Sequence, residues 1–265
     1  MKFWRDSTLP FIEARSVRDG RKVCYAKHWH EAFSIGLIAQ GRCNYFNSGQ
    51  TREVSAGTVV LMNPGDVHAC NPIESEPWSY TMLYIDASWL RDTLDAANEL
   101  PSPSFVRYSA VATSRRELFE ALNCLVRTLF DPQIECLEKQ TASVLFAQFM
   151  QCCLSEGRSA LPAKRPPLQA AADFILENCR QSLSLEDICR HANLSAAHLI
   201  RAFRQAYGLT PHAFQINCRI EACRAQLRAG RSLAEVAIEA GFSDQAHFQR
   251  TFKKLVAATP GQYRG

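Results

Sequence analysis

The chain has 265 residues, 47% of them hydrophobic and 21% charged, with a formal net charge of +4. That length suits two domains of ordinary size, and the balance is that of a globular protein rather than a fibrous or disordered one. The charge is unevenly placed: residues 1–165 hold 18 Lys/Arg against 18 Asp/Glu, whereas residues 166–265 hold 12 against 8, so the whole excess of four falls on the last hundred residues. A nucleic-acid surface has this kind of asymmetry.

The first residues, MKFWRDSTLP, contain no apolar h-region, and no later stretch is long enough to span a membrane. The expectation is a cytoplasmic protein without membrane association. Eleven cysteines are scattered without a CxxC pair or metal-ligand spacing, and the closest neighbours are Cys152-Cys153 and the Cys218/Cys223 pair. They read as reduced thiols filling small apolar sites, with a thiol-based redox regulator as the alternative.

Residues 20–87 read as short β-strands. FSIGLIAQG, GRCNYFNSG, GTVVLMNPGD and WSYTMLYID are apolar or alternating runs ended by Gly, Asn, Asp and Pro. Turn signals about every ten residues predict a small antiparallel barrel or sandwich. From about residue 113 the period changes. Leu118, Leu122, Leu125 and Leu129 recur at i, i+4, i+7 and i+11, broadened by Phe119, Val126 and Phe130. A second helix, roughly 134–154, sets Leu137, Ala142, Val144, Leu145, Phe149 and Cys152 along an apolar side. Two helices this apolar need a partner surface. They either pack on the barrel or also join two copies of the chain through the Leu118/Leu122/Leu125/Leu129 stripe. Residues 157–167 are polar and Pro-rich and read as a linker.

Beyond it the same helix-turn-helix pattern occurs twice. At a shift of 48, Ser184 aligns with Ser232, Leu185 with Leu233, Asp187 with Glu235, Ile188 with Val236, Ala192 with Ala240 and Ser195 with Ser243. After one extra residue the shift is 49, and Leu199 aligns with Phe248, Arg201 with Arg250, Phe203 with Phe252, Arg204 with Lys253, Thr210 with Thr259 and Pro211 with Pro260. Ser184 and Ser232 sit at capping-box spacing from an acid, and the two Thr-Pro pairs place Pro after a Thr cap. Asn193 and Gly241 fall at equivalent turns and tolerate a left-handed backbone. Seven helices are predicted, at about 168–180, 185–192, 196–207, 211–229, 233–240, 244–256 and 260–264.

The second helix of each copy is the candidate reader of DNA. Leu199, Ala202 and Phe203 pack inward in the first copy, as do Phe248, Phe252 and Leu255 in the second. That leaves Ala197, Ile200, Arg201, Gln245, Ala246, His247, Gln249 and Arg250 as base-contacting candidates. Arg suits guanine O6/N7, Gln suits adenine N6/N7, and Ala or Ile meets a thymine methyl. Ser195, Arg204, Ser243, Lys253 and Lys254 are the phosphate candidates, which orient without specifying. Basic residues on one amphipathic helix are ordinarily a solvated face. Two copies in step, with matched caps, turns and Pro stops, favour groove reading.

Residues 168–264 resemble the DNA-binding domain of the AraC/XylS transcription regulators, most distinctively over SLAEVAIEAGFSDQAHFQRTFKKLVAATPGQYR from Ser232 to Arg264. The resemblance implies seven helices, two helix-turn-helix units joined by a long central helix, and contacts with two successive major grooves about 34 Å apart. It also implies an activator that works with RNA polymerase.

The N-terminal half resembles the cupin-type effector and dimerisation domain of the same regulators, through His28-Trp29-His30-Glu31, Gly57 to His68, and Trp78 to Tyr84. His28, His30 and His68 match the cupin histidines. Glu31 comes too early for the cupin carboxylate, and Ser34-Ile35 occupy its offset, so no metal or other cofactor is expected. His28, His30, His68, Trp78, Tyr80 and Tyr84 are candidates for a small-molecule effector pocket.

The expected architecture is therefore a two-domain α+β protein. A cupin-like antiparallel barrel spans 1–110, a helical dimerisation segment 111–156, the linker 157–167, and an all-α double helix-turn-helix domain 168–265. The expected protein is a homodimeric regulator that binds double-stranded DNA, and not an enzyme. The alternative is a cupin-type metal-dependent enzyme with a DNA-binding tail, which would need a tightly bound metal. No Ser-His-Asp order, P-loop or GxGxxG supports catalysis.

Overall fold

The computed structural model describes all residues except 48, 75, 96–104, 106, 155–157, 160–165 and 265. Most of the expected linker, with Lys164-Arg165, therefore lies outside the described residues. The chain forms two compact units, Met1–Val23 with His30–Leu161, and Cys24–Trp29 with Pro162–Gly265. Among the described residues no helix is long and apolar enough to cross a membrane.

The first unit is built on antiparallel sheets. One holds six strands, β1 (Lys2–Trp4), β2 (Ile12–Val17), β3 (Phe33–Gln40), β6 (Val59–Met62), β8 (Ser79–Ile85) and β10 (Ala112–Thr113), in the order β1-β2-β8-β3-β6-β10. A second has the order β5-β4-β7, from β4 (Arg42–Asn47), β5 (Gln50–Ser55) and β7 (His68–Pro72). A third pairs β9 (Arg107–Tyr108) with β11 (Arg158–Ser159). The four sequence-predicted strands become β3, β4, β6 and β8. The other strands lie outside the four predicted runs, among them β2, whose IEARSV sequence carries a buried Arg15, and β5, an edge strand with only Val54 buried.

Register fixes which side chains share a face, because strand side chains alternate. Phe33 opposes Ile85 and Ile35 opposes Leu83 on the face that packs under the helices. Ser34 opposes Tyr84 and Gly36 opposes Met82 on the other face.

The helices of this unit are α1 (Ala87–Asp95), α2 (Arg116–Phe130) and α3 (Cys136–Leu154). Helix α1 lies outside the helices that the sequence periodicity predicts. Its start is marked by Asp86, whose carboxylate accepts from Trp89 N at 2.8 Å. The leucine stripe of α2 is not a dimer surface. Leu118, Leu122, Leu125 and Leu129 are at most 3% exposed and belong to the core beneath the sheet. Residues 111–154 thus complete the first unit rather than forming a segment of their own.

Helix α3 also turns the other way from the sequence reading. It buries Lys139, Ser143, Phe146, Ala147, Met150 and Leu154, while Leu137, Leu145 and Phe149 stay 73%, 59% and 40% exposed. Apolar and polar residues are spread around this helix without a single strong stripe, so periodicity alone does not choose its inner face. Lys139 lies along apolar surface with its ammonium 5.7 Å from the Trp4 ring, as a long amphipathic side chain allows.

The second unit is helical: α4 (Pro166–Asn178), α5 (Leu185–Ala192), α6 (Ala196–Tyr207), α7 (Pro211–Arg228), α8 (Leu233–Glu239), α9 (Gln245–Val256) and α10 (Pro260–Arg264). All seven predicted helices occur, with small shifts at their ends. Local chemistry fixes those ends. Ser184 and Asp187 close a reciprocal capping box on α5, and Asn193 at φ 50° ends that helix. Thr210 caps α7 ahead of Pro211.

Candidate nucleic-acid interface

Each reader is a short first helix packed against a longer second one. Inward residues Leu199 and Phe203 of α6, and Phe248, Phe252 and Leu255 of α9, are buried. The burial sets the rotation of each helix and so decides which side chains point away from the unit.

On α6 that outward set is Ala197, Ile200, Arg201 and Arg204, all exposed. With Gln205 they line one concavity of about 570 Å³. Gln205 was missed from the sequence, although it lies one turn beyond Arg201. Ser195 stands before this helix in extended conformation and makes no side-chain cap bond to it.

On α9, Gln245, Ala246, Arg250, Lys253 and Lys254 are exposed, and Gln249 is half-buried. Asp244, not Ser243, caps this helix, accepting from His247 N at 2.7 Å. The backbone N–H of His247 holds the Asp244 carboxyl below its ordinary pKa, so the carboxylate stays charged at the helix's positive end. His247 meets the Phe242 ring edge-on at 5.3 Å, with its Nδ1 3.2 Å from Ser243 Oγ. Of the second-copy candidates it is therefore the one most engaged with its own unit.

Part of the unit's positive charge is neutralised within it. Arg190 pairs with Glu186 and Asp187, Arg224 with Glu221, and Arg231 with Glu239. Among the described residues no ion pair engages Arg201, Arg204, Arg250, Lys253 or Lys254. Arg201, Arg204, Arg250, Lys253 and Lys254 thus present charge that an external anion can meet.

A short piece of chain from far away completes this unit. Residues Cys24–Trp29 belong to it. Ala26 N donates to Lys254 O at 2.9 Å, satisfying one of the carbonyls left open at the end of α9. The Asn217 side chain on α7 accepts from Trp29 N at 3.2 Å and donates to Trp29 O at 2.9 Å. The indole of Trp29 stacks on Phe214 with centroids 5.3 Å apart. No sequence signal pointed to this strap.

Of the six predicted effector residues, His30, His68, Trp78, Tyr80 and Tyr84 lie in the first unit. His30 meets His68 at 4.7 Å and Tyr84 at 5.5 Å between ring centroids. Trp78 and Tyr80 stack with ring centroids 4.6 Å apart. His28 stacks on Tyr25 in the second unit's strap. Each imidazole Nδ1 lies against a backbone carbonyl, at Ala26, Ala32 and Asp66 for His28, His30 and His68. A carbonyl only accepts, so Nδ1–H donates in each ring and fixes the tautomer. Among the described residues no three His, Cys, Asp or Glu are grouped to hold a metal ion. The thiols of Cys70, Cys179 and Cys223 are pushed above their ordinary pKa, Cys70 first by its hydrogen bond with Cys43 and the other two by burial, Cys223 to about 12. A protonated, buried thiol such as that of Cys179 or Cys223 is a poor redox sensor.

A helical unit with two tandem helix-turn-helix readers, together with a sheet-rich unit in the same chain, defines a DNA-binding transcription regulator with a second module. An AraC-like ligand-binding domain profile matches residues 12–144, and a helix-turn-helix domain profile matches residues 188–265. The chain belongs to the AraC family of transcription regulators.

It is 26% identical to the uncharacterised regulator YbfI of Bacillus subtilis, covering 84% of this chain and 81% of that one. To the transcriptional activator RhaS of Pectobacterium carotovorum it is 24% identical over 92% and 88% of the two chains. ToxT of Vibrio cholerae shares the two-domain fold, with a TM-score of 0.61 at 12% identity over 96% and 97% of the chains. A second ToxT structure, bound to an unsaturated fatty acid, has a TM-score of 0.59 at 14% identity over 96% and 94%.

Proposed function

We propose that this regulator is an activator that reads two successive major grooves, with α6 in one and α9 in the next, and that it works with RNA polymerase in the cytoplasm, without catalysis. The observation that carries the reading is the set of five cations without ion pairs on the outward faces of α6 and α9. Arg201 and Arg250 occupy equivalent mid-helix positions and take bases, alongside Ala197, Ile200, Gln245, Ala246, Gln249 and, less directly, His247. Ser195, Arg204, Ser243, Lys253 and Lys254 take phosphate.

Arg250→Ala is expected to cost about 1–3 kcal/mol and to relax preference at one base pair. Lys253→Ala is expected to weaken all sequences alike and to flatten the salt slope by about one unit. Affinity for single-base operator variants at several salt concentrations checks both. An Arg250→Ala protein that weakens every variant equally, beside a Lys253→Ala protein with altered base preference, reverses the assignment. No effect from either removes α9 from the groove.

The regulator acts as a homodimer, and α3 is the better seam than α2. Its exposed Leu137, Leu145 and Phe149 follow one another at eight- and four-residue steps on one face, which suits a second copy of the same helix. Leu145→Glu is expected to raise the dimer dissociation constant by at least about tenfold while the protein stays folded. Sedimentation and thermal unfolding of that variant test the seam. A dimer unchanged in strength places the contact elsewhere.

The first unit, cupin-like by its histidine pattern, binds a small-molecule effector, with His30, His68 and Tyr84 as its polar wall. The ligand-binding profile over residues 12–144 and the fatty-acid-bound ToxT fold support this role. Saturation binding of candidate effectors by wild type and His68→Ala distinguishes this wall from a structural one.

A further inference from the structure

Helix α7 joins the two readers, but its length alone does not fix how one is turned relative to the other. Midway along it, Arg219 meets three backbone carbonyls. Nε donates to Cys179 O at 2.6 Å, Nη2 to Gln181 O at 2.8 Å, and Nη1 to Gly241 O at 2.6 Å. The first two carbonyls follow the end of α4, which packs against α5 and α6 of the first copy. The third belongs to the turn between α8 and α9 of the second copy.

Gln215, one turn earlier on α7, reinforces the hold, donating to Cys179 O at 3.1 Å and Gln181 O at 2.9 Å. The Phe242 ring lies 5.9 Å from the guanidinium carbon. Gly241 is pressed so closely on the backbone of Arg180 that no Cβ fits between them. One side chain thus ties the turn that leads into the first reader to the α8–α9 turn of the second. Only a planar guanidinium offers donors in three fixed directions, and a lysine ammonium would reach fewer of these carbonyls. Three of the five N–H groups of Arg219 are held by these carbonyls, which fits a role in positioning.

We propose that Arg219 is a specificity-determining positioning residue: it locks the rotation of α9 relative to α6 and thereby sets the base-pair spacing that the operator's two boxes must have. The proposal rests on the two-groove reading given above. Adding one base pair between the boxes shifts the second by about 3.4 Å and turns it by roughly 34° about the duplex axis. A locked pair of readers rejects that change. A pair joined by α7 packing alone follows it.

The test uses the full chain. Wild type first selects its two-box operator from a random-sequence duplex pool, and duplexes with one or two base pairs added or removed between the boxes are then made. The readout is the ratio of affinities for native and altered spacing. For wild type the ratio is expected to be large, and Arg219→Ala is expected to reduce it on the order of tenfold, the effect of losing charge-assisted hydrogen bonds. Arg219→Lys is expected to fall between the two. General destabilisation weakens every spacing alike and leaves the ratio unchanged, so the ratio separates positioning from mere structure. If Arg219→Ala does not fold, Arg219→Lys and Gln215→Ala supply the same ratio. Spacing profiles of the variants parallel to wild type overturn the proposal and leave two-groove reading intact. A wild-type protein indifferent to spacing removes the two-groove reading and the proposal with it.

Discussion

A Gly241→Ala protein is expected to lose its second reader as a folded structure, at a cost of about 3 kcal/mol or more. Two effects add at this position. The backbone has φ +81°, where any side chain is strained, and a Cβ would overlap the Arg180 carbonyl oxygen and lie 3.2 Å from Arg219 Cζ. Neither neighbour can yield freely, since one is backbone and the other is held by three hydrogen bonds. Gly230 isolates the first effect. Its φ is +79°, but a Cβ there meets nothing within 4 Å. Gly230→Ala should therefore cost only about 1–2 kcal/mol. Denaturant unfolding of the two variants measures the difference. Equal losses would mean that close approach at Gly241 contributes nothing.

Trp29→Ala is expected to destabilise the DNA-binding unit by about 3–5 kcal/mol, the range for removing a buried aromatic. This is a large effect for a residue more than 130 positions before that unit's first helix. Trp29 is only 6% exposed, and its loss uncovers Phe214 and loosens the segment that pairs with Asn217. Asn217→Ala breaks the same attachment from the other side and should cost about 1–3 kcal/mol, through buried backbone groups left without partners. The isolated fragment 166–265 contains both readers but lacks the strap. It should still bind DNA, with an unfolding midpoint below that of the same unit in the whole chain. A fragment as stable as the intact unit would show that the strap is dispensable.

The second unit was legible in the sequence almost helix by helix, because its signals are local. Ser184 reaches only to Asp187, and Thr210 only to Ala213. The pattern also occurs twice, so each copy checks the other. The outward faces followed from the inward Leu199, Phe203, Phe248 and Phe252. What was not legible depends on residues distant in sequence. The partner of the α2 leucines could have been a sheet or a second chain, and periodicity does not distinguish the two. The inner face of α3 was misread because Leu137 and Leu145 look as buriable as Phe146 and Met150. The pairing of Trp29 with Asn217 spans 188 positions, and nothing near either residue announces it. The Arg219 clamp was invisible for a related reason. Its acceptors are backbone carbonyls, which carry no residue identity.

The strap also bears on exchanging parts between regulators of this type. The chain passes between the two units at three places: after Val23, after Trp29 and after Leu161. A hybrid gene joined once, near residue 161, would keep the strap of the first parent and place it against an α7 and an α9 from the second. Such hybrids should misbehave according to whether the incoming central helix offers an amide to the Trp29 backbone and a flat ring to its indole. Transplanting residues 24–29 together with the helices makes the recombination boundary follow the folded unit instead of the order of the sequence.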